Sequence, residues 1–269
     1  MLVDTHCHLN FETFDNDRDQ VVTHARQNGL VRILNPGISY HTSNEAIKLS
    51  RQYPEVYAAV GIHPTEVRTC DKTTTSNLAK FLADPKVIAI GEIGLDDYWD
   101  QSSMDEQVVC LIQLLDLANQ ASLPVIVHIR NRTKDDHKAT EAAYNILSEW
   151  YRKLPSNSPL RLHPGVLHSF DDDLYWAEKF IKINFMLGIS GRITYRNANV
   201  LRDVVVNAPL ENLLIETDAP FVTPEPDRGK RNQPGYVKFV AERISQIRGI
   251  PYDKVASITS ANAGRLFAW

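Results

Sequence analysis

A chain of 269 residues with a hydrophobic fraction of 43% has the apolar mass for one large domain or two small ones. Its net charge of −4 excludes a bulk polyelectrolyte binder, so any nucleic-acid contact must come from a local basic patch. No run approaches the roughly 18 consecutive apolar residues of a membrane span, and the opening Met1-Leu2-Val3-Asp4 lacks the regions of a secretory signal.

The first predicted strand, 2–6, runs into Asp4-Thr5-His6-Cys7-His8. Alternation along a strand puts His6 and His8 on one face and Cys7 on the other, packed outside. Asp4 then shares the histidine face one layer deeper, placed to accept a hydrogen bond from an imidazole. Helix 15–28, strand 31–35 and helix 41–52 lead to strand 56–62, whose apolar run stops at His63. After helix 75–83, strand 87–92 carries Ile88, Ile90 and Glu92 on one face, which sets a carboxylate above two apolar layers. Helix 103–121 repeats Val108, Leu111, Leu115 and Ala118 at helical spacing. Strand 124–128 closes on His128, and Arg130 lies two residues further on the same face. Helix 136–153 and a proline-rich surface loop lead to strand 165–168, which ends in His168. Helix 172–182, strand 184–189 and helix 195–207 precede the last strand, 213–217, with Asp218 beyond it and Glu216 one layer down as support. The loop from Pro220 to Pro234 carries Arg228, Lys230 and Arg231 and is long enough to line a site. Segments 236–247 and 252–267 complete the chain.

Strands rich in Val, Ile and Leu without polar alternation are covered on both faces, and their alternation with helices argues for parallel α/β. Eight such repeats without a composition break predict a single (β/α)8 TIM-type barrel over residues 1–269. Ligand-type side chains scattered along a chain, yet always at strand ends, converge at the C-terminal mouth of such a barrel. One divalent ion is then expected between His6, His8, Glu92 and Asp218, and a second between Glu92, His128 and His168. Two adjacent cations would acidify a shared water, and Asp218 beside it would take the proton as the catalytic base. Imidazoles suit zinc or manganese, oxygen partners magnesium. On the rim, His63, Arg130 and Arg231 are placed to hold an anionic ester, because guanidinium forks match phosphate oxygens. The same cradle also suits a metal-dependent amidohydrolase or lactonase acting on a small uncharged substrate. Three cysteines, odd in number and without a Cys-x-x-Cys pair, predict reduced thiols and a cytoplasmic protein.

The motifs Asp-Thr-His-Cys-His-Leu (4–9), Ala-Val-Gly-Ile-His-Pro (59–64), Gly-Glu-Ile-Gly-Leu-Asp (91–96) and His-Ile-Arg (128–130) stand in one order along the chain. Gly-Val-Leu-His-Ser-Phe (165–170), Glu-Thr-Asp-Ala-Pro-Phe (216–221), Arg-Gly-Lys-Arg-Asn-Gln-Pro (228–234) and Asn-Ala-Gly-Arg-Leu-Phe (262–267) follow them. In this order and spacing the chain resembles the TatD family of metal-dependent deoxyribonucleases, a branch of the amidohydrolase-type barrels. The resemblance implies two divalent ions and DNA cleavage, in several members as a 3′→5′ exonuclease, by a metal-bound hydroxide. It assigns ligation to His6, His8, Glu92, His128, His168 and Asp218. The chain departs from the family at 131–138, where relatives run more directly into Asp-Ala and the helix. The expected substrate is single-stranded or end-exposed DNA, acted on by a monomer with no membrane partner.

Overall fold

The computed structural model describes residues 1–269, apart from the side chain of Lys72. Eight strands follow the chain around one sheet: β1 (Leu2–Asp4), β2 (Leu30–Pro36), β3 (Val56–Val60), β4 (Val87–Asp96), β5 (Val125–Arg130), β6 (Gly165–Leu167), β7 (Met186–Ile189) and β8 (Leu213–Ile215). Every neighbouring pair is parallel. The ring closes just past the ends of β1 and β8. There Thr5 N–H donates to the Ile215 carbonyl (3.2 Å), Asp218 N–H to that of His6 (2.8 Å) and His8 N–H to that of Ala219 (2.8 Å). This is the expected (β/α)8 barrel.

The outer helices are α1 (Arg18–Gln27), α2 (Tyr40–Gln52), α3 (Lys72–Phe81), α4 (Met104–Ala121), α5 (Lys138–Lys153), α6 (Leu174–Lys182), α7 (Asn199–Asn207), α8 (Val237–Arg248) and α9 (Tyr252–Phe267). Local chemistry sets several of their ends. Ser103 and Glu106 form a capping box at the start of α4, Ser39 and Thr42 do so at α2, and Asp71 and Asp173 cap α3 and α6. Gly249, at φ 62°, ends α8 in the left-handed turn that glycine adopts without a side-chain clash.

Two apolar layers hold the barrel. Outward-facing Val56, Val125, Leu187 and Ile215 pack against the helices. Inside, Val3, Leu34, Ala59, Ala89, Ile126, Val166 and Leu214 meet Ala263, Leu266 and Phe267 of α9, which fill the floor below the polar mouth. At about 25 cal/mol per Å² of apolar surface removed from water, such burial is the main favourable contribution to folding.

Three local expectations are corrected. Val3, not Asp4, belongs to the interior layer, and the chain bends at Thr5. Asp4 therefore accepts from Thr217 N–H (2.9 Å), Thr217 Oγ1 (2.5 Å) and His6 N–H (3.2 Å) rather than from an imidazole. Ile88 and Ala89 both face inward while Ile90 faces the helices, because β4 slips register against β3 at its start and against β5 between Ile90 and Ile93. Cys70 and Cys110 are joined in a disulfide with Cα atoms 6.0 Å apart, against the expectation of reduced thiols. Forty residues separate them in sequence, but the loop after β3 lies on α4. Cys7 is free and buried in the helix-facing layer, as expected. No described helix is long and apolar enough to cross a membrane.

Candidate metal centre

The strand ends bring six of the expected side chains around Glu92. His6 Nε2 lies 3.3 Å from Glu92 Oε2 and 3.1 Å from His8 Nε2. His8 Nε2 lies 3.5 Å from the same oxygen, and Asp218 Oδ1 stands 4.0 Å and 3.8 Å from the two imidazoles. A tetrahedron of metal–ligand bonds of ~2.1 Å has edges of ~3.4 Å, so this donor set is spaced to hold one divalent ion. The other Glu92 oxygen, Oε1, faces His128 Nδ1 at 3.1 Å, His168 Nε2 at 3.5 Å and His63 Nε2 at 3.6 Å. Of these, Glu92, His128 and His63 form a second group of donors that could hold an ion. The Nδ1 atoms of His6 and His8 are buried without a hydrogen-bond partner, so these rings are held by packing and by whatever occupies their Nε2 side.

Three acids support the cluster from behind. Glu216 Oε1 accepts from His168 Nδ1 at 3.0 Å, the support expected of a residue one layer below Asp218. Its carboxylate fits because β7 carries Gly188 alongside it; a Cβ there would lie 2.4 Å from Glu216 Oε2. Asp4 ties β1 to Thr217. Asp96 was given no role from the sequence. It ends β4, and its Oδ2 lies 3.0 Å from His128 Nε2, so the ring sits between two carboxylates. The signal was the acid four residues after Glu92, on a strand that runs further than its apolar run suggests.

Burial sets the charge states. It pulls His8 down to about 4 and, with the nearby His128, His63 to about 3, so both rings are neutral, as metal ligation requires. His168 is the exception. Burial opposes its charge, but Glu216, Glu92 and Asp218 outweigh it and lift the imidazole to about 10. Burial also works against the charge of Glu92, yet the imidazoles around it hold its carboxyl well below the ordinary range. Asp218 is pushed up to about 7, chiefly by burial. A proton shared among so many close nitrogens and oxygens is a weak substitute for divalent charge.

Comparisons with known proteins identify the family. The family model described as TatD related DNase matches residues 3–268. The chain is 38% identical over 267 residues to an uncharacterized metal-dependent hydrolase of Bacillus subtilis, YabD, covering 99% of both chains. It is 32% identical over 272 residues to the 3'-5' ssDNA/RNA exonuclease TatD of Escherichia fergusonii, covering 99% of this chain and 98% of that one. The crystal structure of YJJV, a TatD homolog from Escherichia coli K12, superposes with a TM-score of 0.89 at 32% identity, covering 100% of this chain and 98% of that one. The chain belongs to the TatD family. It is a metal-dependent hydrolase on a TIM barrel, and its His, Asp and Glu clusters could bind the metal.

Above this TatD-type centre opens a cleft of about 780 Å³. His63 and Arg130 line it. His63 sits deeper than a rim residue, within reach of Glu92. The Arg130 guanidinium lies 3.9 Å over the Tyr98 ring and belongs to no ion pair among the described residues. Arg231, expected beside His63 and Arg130, stands outside the cleft lining. Asp17 grips its guanidinium with both carboxylate oxygens, and the ring of Phe14 lies 4.5 Å beneath it. Arg228 and Lys230 are likewise paired, with Glu225 at 3.7 Å and Asp227 at 2.6 Å. Asp172 accepts from Thr140 Oγ1 (2.6 Å) and Asn131 Nδ2 (3.3 Å) and lies 3.0 Å from His137 Nδ1, which holds both ends of segment 131–138.

Proposed function

We propose that the protein is a 3′→5′ exonuclease acting on single-stranded or end-exposed DNA, as one hydrolase domain over residues 1–269 and as a monomer. The observation that carries this reading is Glu92, whose two oxygens face two separate groups of donors at the mouth of a TatD-family barrel. His6, His8, Glu92 and Asp218 hold one divalent ion, and Glu92, His128 and His168 the other. When bound, the ions supply Lewis-acid activation of water and of a phosphate ester. The residues do the rest. Asp218 accepts the proton of the attacking water, its carboxylate standing at the open end of β8. Glu216 and Asp96 fix the rings of His168 and His128 so that each presents the nitrogen facing Glu92. Arg130 offers its guanidinium to a phosphate oxygen. The name of the Escherichia fergusonii relative supports the polarity and the single-stranded substrate.

The test is metal-dependent release of nucleotides from end-labelled single-stranded DNA, with zinc, manganese and magnesium compared, beside an amide and lactone panel. A ladder shrinking from the 3′ end supports the proposal. Turnover of an uncharged amide or lactone, with no cleavage of DNA by any ion, overturns it in favour of an amidohydrolase.

A further inference from the structure

We infer that unstacked nucleobases are gripped by two aromatic walls, Tyr98–Trp99 beyond β4 and Phe11–Phe221 beyond β1 and β8. This specificity rests on the nuclease reading above. Large aromatic side chains are normally buried, but Tyr98, Trp99 and Phe221 are 44%, 50% and 52% exposed, and all three line the cleft above the cluster. In a ring of eight strands taken in order, β4 lies diametrically across from β8, so the two walls face each other across the mouth.

Each wall is keyed to a member of the cluster. Asp96 bonds His128 with one carboxylate oxygen, and with the other accepts from the N–H groups of Tyr98 (2.8 Å) and Trp99 (3.0 Å). The first wall is therefore set at a fixed offset from the reacting centre. On the other side the Phe11 ring stacks on His8 at 4.6 Å, and Phe221 meets Phe11 edge-on at 5.9 Å. Arg130 lies over Tyr98 at 3.9 Å and more loosely over Trp99 at 5.7 Å, so its N–H groups stand beside the aromatic wall within the cleft, and Trp99 stays 50% exposed. A cationic fork beside aromatic faces is the pattern that binds a single strand, phosphates on the charge and bases on the rings. A base still paired in a duplex cannot reach such a wall. The preference for unpaired ends then comes from these rings and not from net charge.

The test compares the metal-loaded enzyme on a short oligothymidylate and on the same oligomer with its two terminal nucleotides at the 3′ end lacking a base. Stacking predicts kcat/KM about tenfold higher on the base-bearing oligomer, mostly through KM. Trp99→Ala and Phe221→Ala should each shrink that ratio, with thermal unfolding unchanged because both side chains are half exposed. A phosphorothioate version of the base-bearing oligomer should quench tryptophan emission in the wild type and not in Trp99→Phe. Equal kcat/KM on the two oligomers, or a ratio unchanged in both alanine variants, overturns the stacking walls while leaving the nuclease reading in place. No cleavage of either oligomer overturns both.

Discussion

Glu92 is the side chain on which the largest number of others depend. Five imidazoles lie within 3.6 Å of its two oxygens, so its loss leaves both donor groups without their shared anion. Glu92→Ala should lower activity by roughly a thousandfold or more and reduce bound metal, read by elemental analysis of the purified protein. Full metal occupancy with near-normal turnover in that variant removes the bridging role. Asp218 differs in kind. It sits past the end of β8, with its carboxylate beside the His6 and His8 imidazoles at the open mouth. Asp218→Asn keeps the shape and loses the proton acceptor. The rate should fall roughly a hundredfold or more, with the melting temperature of the metal-loaded protein little changed. Full activity in that variant excludes Asp218 as the base.

Secondary-structure elements decide which parts of the site were legible in the sequence. His128 lies within β5 and His168 just past β6, where the two-residue period is regular, and so both positions are legible directly. At β1 and β4 the same period misplaces Asp4 and Ile90, since a bend and two register slips break the alternation. Loop cations were harder still. Arg231 and its partner Asp17 are 214 residues apart, and nothing local announces the pair. A comparable tertiary link ties α1 to the end of α2, where the Tyr53 hydroxyl donates to Asp19 Oδ1 at 2.5 Å. Burial, reinforced by that carboxylate, raises the Tyr53 phenol to about 12. An unfolded tyrosine titrates near about 10. The folded state thus holds the proton more tightly, and the resulting stability is complete below the unfolded value and lost as pH rises through the folded one. Denaturant titrations between those two values should show the wild type losing more stability than Tyr53→Phe. Parallel losses in the two proteins show that the link does not couple to pH.

Taken as a whole, the molecule concentrates buried polar groups at one end of an apolar barrel. Any ion that binds the folded mouth and not the unfolded chain stabilises the fold. At free metal a thousandfold above its dissociation constant this amounts to about 4 kcal/mol. At ~2–4 °C per kcal/mol for a domain somewhat smaller than this one, a chelator should lower the melting temperature by roughly 8–16 °C. An unchanged melting temperature, with metal removal confirmed, shows that the cluster contributes nothing to folding.

The barrel's seam has a consequence for biosynthesis. His6 and His8 are made long before Asp218 and Ala219, to which their backbone is tied, and Asp4 is held to Thr217 across 213 residues. No nascent chain that stops short of Asp218 can complete this centre. Until then the two early histidines lack the acids, Glu92 and Asp218, that complete their donor group. The order of translation therefore separates the making of the first ligands from the making of the pocket that selects what they hold.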